Sequence, residues 1–214
     1  MTNLFIGSDR RTQKETALFE AALDVFAEFG FRKAGIEDIA RRAGIANGTV
    51  YLYAASKRDL YKRAVEYGLD AWQAHAAKAA EEAAEGTEPG RGRARNRFEA
   101  LCRAAYSYLA AEPRLRRIMS RDPSLFPAAP GSAEGDDPFE SVNGRSVAML
   151  ERAIREGVDT GEFAVEDPAA AAELLFSLYR VMIEKTYVEE DGGERKRFEA
   201  GLSIIMNGIS ARGA

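Results

Sequence analysis

The stretch Gly35-Ile-Glu-Asp-Ile-Ala-Arg-Arg-Ala-Gly-Ile-Ala-Asn-Gly-Thr-Val-Tyr-Leu-Tyr53 decides how the rest of this 214-residue chain is read. Two short helices joined by a turn of about three or four residues need a small residue where they cross, glycine at the turn, and apolar residues at the few positions facing inward. Ala40 meets the first need, Gly44 the second, and Ile36, Ile39, Ala43, Ile45 and Val50 the third. The pattern is that of a helix-turn-helix. Two such helices cannot bury a core alone, and the segment before them carries Leu18, Ala22, Val25, Phe26 and Phe29 on one stripe, which supplies a third wall.

Within the second short helix the exposed positions are Asn47, Gly48, Thr49, Tyr51 and Tyr53, and the N-terminal residues of such a helix reach base edges in double-stranded DNA. Asparagine can pair with adenine through its amide, and threonine offers a hydroxyl or a methyl to thymine. Gly48 has no side chain to hold the backbone away from a duplex. The phenols of Tyr51 and Tyr53, Lys57 just beyond the helix, and Arg10 and Arg11 ahead of the first helix suit phosphate contact, which fixes register without reading sequence. Arg41 and Arg42 add charge nearby.

Charge supports the same assignment. The net charge of −4 would argue against a polyanion if it were uniform, but it is not. Residues 1–63 hold 11 Lys+Arg against 8 Asp+Glu, and the remainder hold 19 against 26, so a small basic head precedes an acidic body. The division expected is 1–56 for the head and 57–214 for the body. At 46% apolar and 30% charged, without the run of roughly 18 apolar residues that a membrane span needs, the chain reads as soluble. Met1 to Asp9 carries no basic n-region, so no secretory leader is expected and the cytoplasm is the expected compartment. One cysteine, Cys102, and one histidine, His75, can form neither an internal disulfide nor a Cys/His zinc site. No metal or cofactor is expected, and no nucleophile motif or phosphate-binding loop gives a catalytic residue.

Apolar spacing of three and four residues recurs along the chain, and alternating β-branched runs are absent. The expected fold is all-α, with helices near 10–30, 36–43, 47–53, 57–84, 93–111, 113–121, 139–157, 168–189 and 194–211. Ser56 before Lys-Arg-Asp59 has the form of a capping box with a shortened acid, Asp167-Pro168 places a cap before a first-turn proline, and Gly30 sits where a helix would end. Residues 122–138 hold four of the seven prolines and form a loop longer than most connections in compact domains.

From about Lys14 to Leu60 the chain resembles the TetR family of bacterial transcriptional regulators. The resemblance lies in Ala21-Ala22, Phe26, Gly30-Phe31, Ile39-Ala40, Ala43-Gly44-Ile45, Gly48-Thr49-Val50-Tyr51 and Ser56-Lys57-x-x-Leu60. It implies a homodimeric helical regulator with a three-helix DNA-binding head and a body that usually binds a small effector. Two positions depart from the pattern: Gly35 stands where the family usually has serine or threonine, and Ala54 where it usually has an aromatic.

In the body, residues 174–188 are apolar on almost every face, and such a helix must be covered on two sides. One cover is its own domain and the other a second copy. Leu174, Leu178 and Met182, with Phe198, Gly201, Leu202, Ile205 and Ile209 of the last helix, are the expected dimer interface. Trp72, His75, Cys102, Tyr106, Met119, Phe126, Met149, Phe176 and Tyr179 could line an effector pocket suited to an apolar or aromatic molecule, although each taken singly fits ordinary core better. The arginines at 91, 93, 95 and 97 read as a solvated face. The function expected is a dimeric, effector-released repressor on a pseudo-palindromic operator. An activator, a regulator answering to a protein partner and a helical enzyme stay open as alternatives.

Overall fold

The computed structural model describes the backbone of residues 3–87, 92–121, 140–186 and 194–210, with side chains throughout except at 3–10, 120, 180–186 and 194. The described residues form nine α-helices: α1 (Asn3–Lys33), α2 (Ile36–Arg42), α3 (Asn47–Val50), α4 (Lys57–Glu85), α5 (Arg93–Ala111), α6 (Pro113–Arg121), α7 (Glu140–Asp159), α8 (Pro168–Thr186) and α9 (Glu194–Ile209). Among those residues there is no strand, only an isolated antiparallel bridge between Phe163 and Ser210. No described helix is long and apolar enough to cross a membrane.

At α1 one boundary differs from expectation and the other agrees. The helix begins at Asn3 rather than near residue 10, and its regular geometry ends at Gly30 as that glycine's position predicts. Gly30 takes φ 74° and ψ 162°, which breaks the helix, but a further turn follows, closed by the Ala34 N–H donating to Gly30 O at 3.1 Å. Phe31 holds that turn in place, with its ring 6.2 Å from Phe26 and 5.2 Å from Tyr61.

The chain divides into two compact units. The first comprises Met1–Asp70 and Glu112–Asp122. Here α1 packs on α2 and α6, and α2 packs on α3. Leu18, Phe26, Ile39, Val50, Leu60 and Leu115 fill its core. The boundary drawn on sequence at residues 56 and 57 therefore falls inside this unit. Burial of Leu60, Ala64 and Val65 carries it along α4, and the buried Leu115 and Ile118 bring in α6. Arg114 fastens α6 to α1, with Nη1 2.6 Å from Glu20 and 3.3 Å from Asp24 while Nε reaches Glu112 at 2.8 Å. Arg121 Nη1 donates to Ala27 O at 2.8 Å.

The second unit comprises Ala71–Ala111 and Pro123–Ala214, with α7 packed on α5 and α8, and α9 on α5. Gln73 on α4 is buried, and its Nε2 donates to Val142 O and to Ser146 Oγ of α7, each at 2.8 Å. Arg97 does not lie on a solvated face: its side chain is 19% exposed and pairs with Glu156 at 2.5 Å and with Glu81. Arg95 bonds Glu99 at 2.9 Å, and Arg91 lies outside the described residues. Glu162, buried and remote in sequence, accepts the N–H groups of Ala94 and Arg95 at 3.2 and 3.1 Å. A carboxylate thus occupies the positive end of α5, where arginines stand. Asp167 caps α8 as its sequence position predicts, accepting the N–H groups of Ala169 and Ala170 at 3.1 and 3.0 Å.

One contact in this unit leaves no room for a methyl group. A β-carbon on Gly157 would sit 2.0 Å from Cδ2 of the buried Phe163, whose ring meets Phe98 edge-on at 6.0 Å. Overpacking of this kind costs about 1–3 kcal/mol. Gly157→Ala is expected to lower the stability of the second unit by that amount, read by denaturant unfolding of the variant beside the parent.

Candidate functional site

The surface around α3 is built by the residues that fix its two ends. Upstream, Gly44 takes φ 68°, its N–H donates to Arg41 O at 3.2 Å, and the Ile45 N–H donates to Ala40 O at 3.0 Å. These are the paired bonds of a Schellman stop, so α2 ends sharply and the chain turns. An added β-carbon at Gly44 would meet nothing within 4 Å, so conformation rather than space selects glycine there. Gly35 supplies an extended N-cap for α2 without a side-chain bond.

The helix expected over 47–53 is shorter in the structure. α3 holds four residues, Asn47–Val50. The Leu52 and Tyr53 N–H groups then donate to Thr49 O and Val50 O at 3.1 and 2.9 Å, three residues back, so the chain winds more tightly. Gly48, Thr49 and Val50 are poor helix formers, which agrees with this early end. Val50 and Ala54 are buried beneath the turn, and alanine fills the place where the family usually has an aromatic.

Downstream, Ser56 Oγ accepts the Asp59 N–H at 3.1 Å, and Asp59 Oδ2 accepts the Ala55 N–H at 2.8 Å. This is a reciprocal cap with aspartate in place of glutamate. Arg63 Nε adds a third bond to Asp59 at 3.1 Å.

The side chains carried by this frame fall into two groups. Asn47, Gly48 and Tyr51 are exposed, and Thr49 and Tyr53 half-buried, so α3 and its following turn present them together. Leu52, passed over in the sequence, is 74% exposed beside them; its alternation with the buried Val50 and Ala54 was the available signal. Arg11 is exposed on α1, and the Arg10 side chain lies outside the described residues. Lys57 is already engaged: Nζ donates to Arg32 O at 3.1 Å and lies 5.2 Å from the Phe31 ring centroid. Arg42 pairs with Glu28 at 3.2 Å, and Arg41 with Asp38.

A second candidate site lies wholly within the second unit. It is a cleft with about 610 Å³ of free space, the part open to solvent included, walled by α4, α5, α7, α8 and α9. Of the expected pocket residues, Trp72, Cys102, Met149, Phe176 and Tyr179 line it. His75 does not: it is exposed, with its ring 5.3 Å from Tyr108. Tyr106 stacks on Phe198 at 4.2 Å outside the lining, Met119 is core of the first unit, and Phe126 lies outside the described residues. The stripe Phe98, Leu101, Cys102 and Ala105 on α5 faces the cleft as a whole, although its sequence reading singled out only Cys102.

Three residues expected at a dimer interface line this wall. Phe198, Leu202 and Ile205 line the cleft, and the first two are buried within the chain, because the wide apolar band of α9 turns that face inward. Gly201 and Ile209 are half-buried, and the Met182 side chain lies outside the described residues. Leu174 and Leu178, one turn apart on α8, are 66% and 53% exposed, and Ile204 on α9 is 74% exposed.

Residues 18–64 match the bacterial regulatory proteins of the tetR family. By this segment, which is under a quarter of the chain, the protein is similar to the tetR family. YfiR, an uncharacterized HTH-type transcriptional regulator of Bacillus subtilis, is 31% identical over 65 residues, covering 30% of this chain and 32% of that protein. The sequence match thus spans about a third of that relative's length. Beyond it the fold is shared more widely. The regulator FadR of Bacillus subtilis, solved in complex with stearoyl-CoA, superposes with a TM-score of 0.71 at 19% identity over 91% of this chain and 98% of that one. SmeT, the repressor of a Stenotrophomonas maltophilia multidrug efflux pump, gives 0.69 at 20% identity over 93% and 91%. What these two structures share with this chain is the fold.

The cap at Asp59 carries a pH dependence. Bonding to the Ala55 N–H, and then to Arg63, holds the Asp59 carboxyl below its ordinary value. A carboxyl depressed on folding contributes stability above the unfolded pKa, about 3.9, and loses that contribution as pH falls through the folded value. Asp59→Asn is expected to lower the melting temperature at neutral pH, with the gap to the parent closing in acid, as thermal melts across that range would measure.

Proposed function

We propose that this chain is a ligand-responsive transcriptional repressor that binds a pseudo-palindromic DNA operator as a homodimer and is released by a small apolar or aromatic effector. The observation that carries the reading is Gly48. It sits in α3 with no positive φ, and a β-carbon there would meet nothing within 4 Å. Glycine inside a helix costs about 1 kcal/mol relative to alanine, and nothing within the fold requires it. A surface that approaches from outside does. Asn47 and Thr49 beside it suit base edges, and Tyr51, Tyr53, Arg10 and Arg11 suit phosphates. Lys57 would join them only by leaving the Arg32 carbonyl.

Two-fold DNA calls for a two-fold reader, with recognition elements about 34–36 Å apart. The exposed Leu174 and Leu178 of α8, with Ile204 of α9, are apolar side chains for a second copy to cover. An effector in the cleft of the second unit would regulate by linkage: whatever favours a dimer with wrongly spaced readers lowers operator affinity, and the operator lowers effector affinity equally.

The test is fluorescence anisotropy on the DNA flanking the chain's own gene, beside a scrambled duplex, at two salt concentrations. Asn47→Ala is expected to weaken selective binding by about 1–3 kcal/mol, the range for a lost bidentate base contact. Gly48→Ala should separate fold from function, raising the melting temperature of the free protein while weakening the operator complex. Equal affinity of both variants and the parent would sink the assignment of α3. For the dimer, Leu174→Asp with Leu178→Asp is expected to yield a monomer by light scattering, and an unchanged mass would remove these residues from the interface.

A further inference from the structure

The chemistry of the cleft narrows what it can hold, and this inference rests on the cleft being the effector site. Among the described residues, no lining side chain carries a formal charge. The polar groups in the wall are largely committed. Trp72 Nε1 donates to Ala105 O at 2.9 Å. Ser146 Oγ accepts from Gln73 Nε2 at 2.8 Å and donates to Val142 O at 3.3 Å, so its donor and one acceptor site serve the α4–α7 contact. Cys102 is a protonated thiol: burial pushes it up to about 12, far from a thiolate at neutral pH. Tyr179 presents its ring stacked on Trp72 at 6.2 Å. Neutral groups such as these do not offset the desolvation of an ion.

Several charged groups on the same helices are paired with one another, and Arg145 of α7 bonds Gln73 Oε1 at 3.3 Å. Glu99 and Arg103 of α5 pair with each other at 2.8 Å, and Arg103 also reaches Glu199 of α9 at 3.1 Å. Arg97 is held by Glu156 and Glu81. A carboxylate, phosphate or ammonium inside the cleft would therefore lose its water without gaining a counter-charge from the described lining, whereas an apolar molecule would replace water against leucine, phenylalanine and methionine.

We propose that the cleft selects an uncharged ligand, an apolar or aromatic molecule without a formal charge, and discriminates against the ionised analogue of the same skeleton. Selectivity here comes from the missing counter-ion rather than from a recognising group.

A matched pair of dyes tests this on the full chain. N-phenyl-1-naphthylamine is neutral, and 8-anilinonaphthalene-1-sulfonate is the same skeleton with a sulfonate added. Trp72, the single tryptophan of the chain, forms part of the wall, so energy transfer from it reports occupancy of the cleft without any substitution. The neutral dye is expected to quench Trp72 and the sulfonate to bind at least about tenfold more weakly, a gap of about 1.4 kcal/mol. Met149→Lys, which places a cation in the half-buried part of the wall, should narrow or reverse that preference, with the fold checked by circular dichroism.

Quenching by the sulfonate at an affinity matching the neutral dye would overturn the proposal. So would failure of the neutral dye to quench Trp72. Both readouts are taken without DNA, so charge-blind binding would leave the operator reading standing, and loss of operator binding would leave the ligand class standing.

Discussion

A helix of four residues has almost no stability of its own, because nucleation fixes several residues before the first bond closes. The proposed use of α3 as a reading element therefore depends on constraints imposed at its ends. Gly44 stops α2 in the left-handed region, and the Ser56–Asp59 cap starts α4. Between these fixed points the chain from Ile45 to Ala55 is held by Val50 and Ala54, both buried. The exposed side chains point outward because the buried ones leave no other choice.

The second unit is organised differently. Its helices are tied by a few long-range polar contacts: Gln73 to α7 at the edge of the cleft wall, Arg97 to α4 and α7, and Glu162 to the start of α5. Because polar satisfaction is achieved at these points, the cleft wall can remain apolar. Such a wall has little directional demand, and rejection of unsuitable molecules then falls to desolvation.

Much of this was legible in sequence, for identifiable physical reasons. Gly44, Ser56 with Asp59, and Asp167 before Pro168 announce themselves because capping chemistry is local and the partners lie within a few residues. The apolar stripe of α5 was likewise visible as periodicity. Long-range partners were not. Nothing near Glu162 signals that it caps a helix starting 69 residues earlier, and nothing in the run of arginines distinguishes Arg97, which meets Glu81 and Glu156, from its neighbours. The inward turn of Phe198 and Leu202 was hidden for a related reason. A helix that is apolar around much of its circumference does not declare which face meets its own chain, and α9 directs these two inward while Ile204 faces solvent.

The discontinuous make-up of the first unit bears on how such a protein could be recombined. α6 belongs to it although α5 and α7 belong to the second, so the main chain passes from one unit to the other three times. A head excised after residue 56 would lack Leu60, Ala64 and Val65 and would be stripped of Leu115 and Ile118, all of them buried. Chimaeras made by joining the head of one protein to the body of another at that point would inherit the first part of α4, and α6, from the wrong parent. A transplant that respects the packing must carry two segments, Met1–Asp70 and Glu112–Asp122.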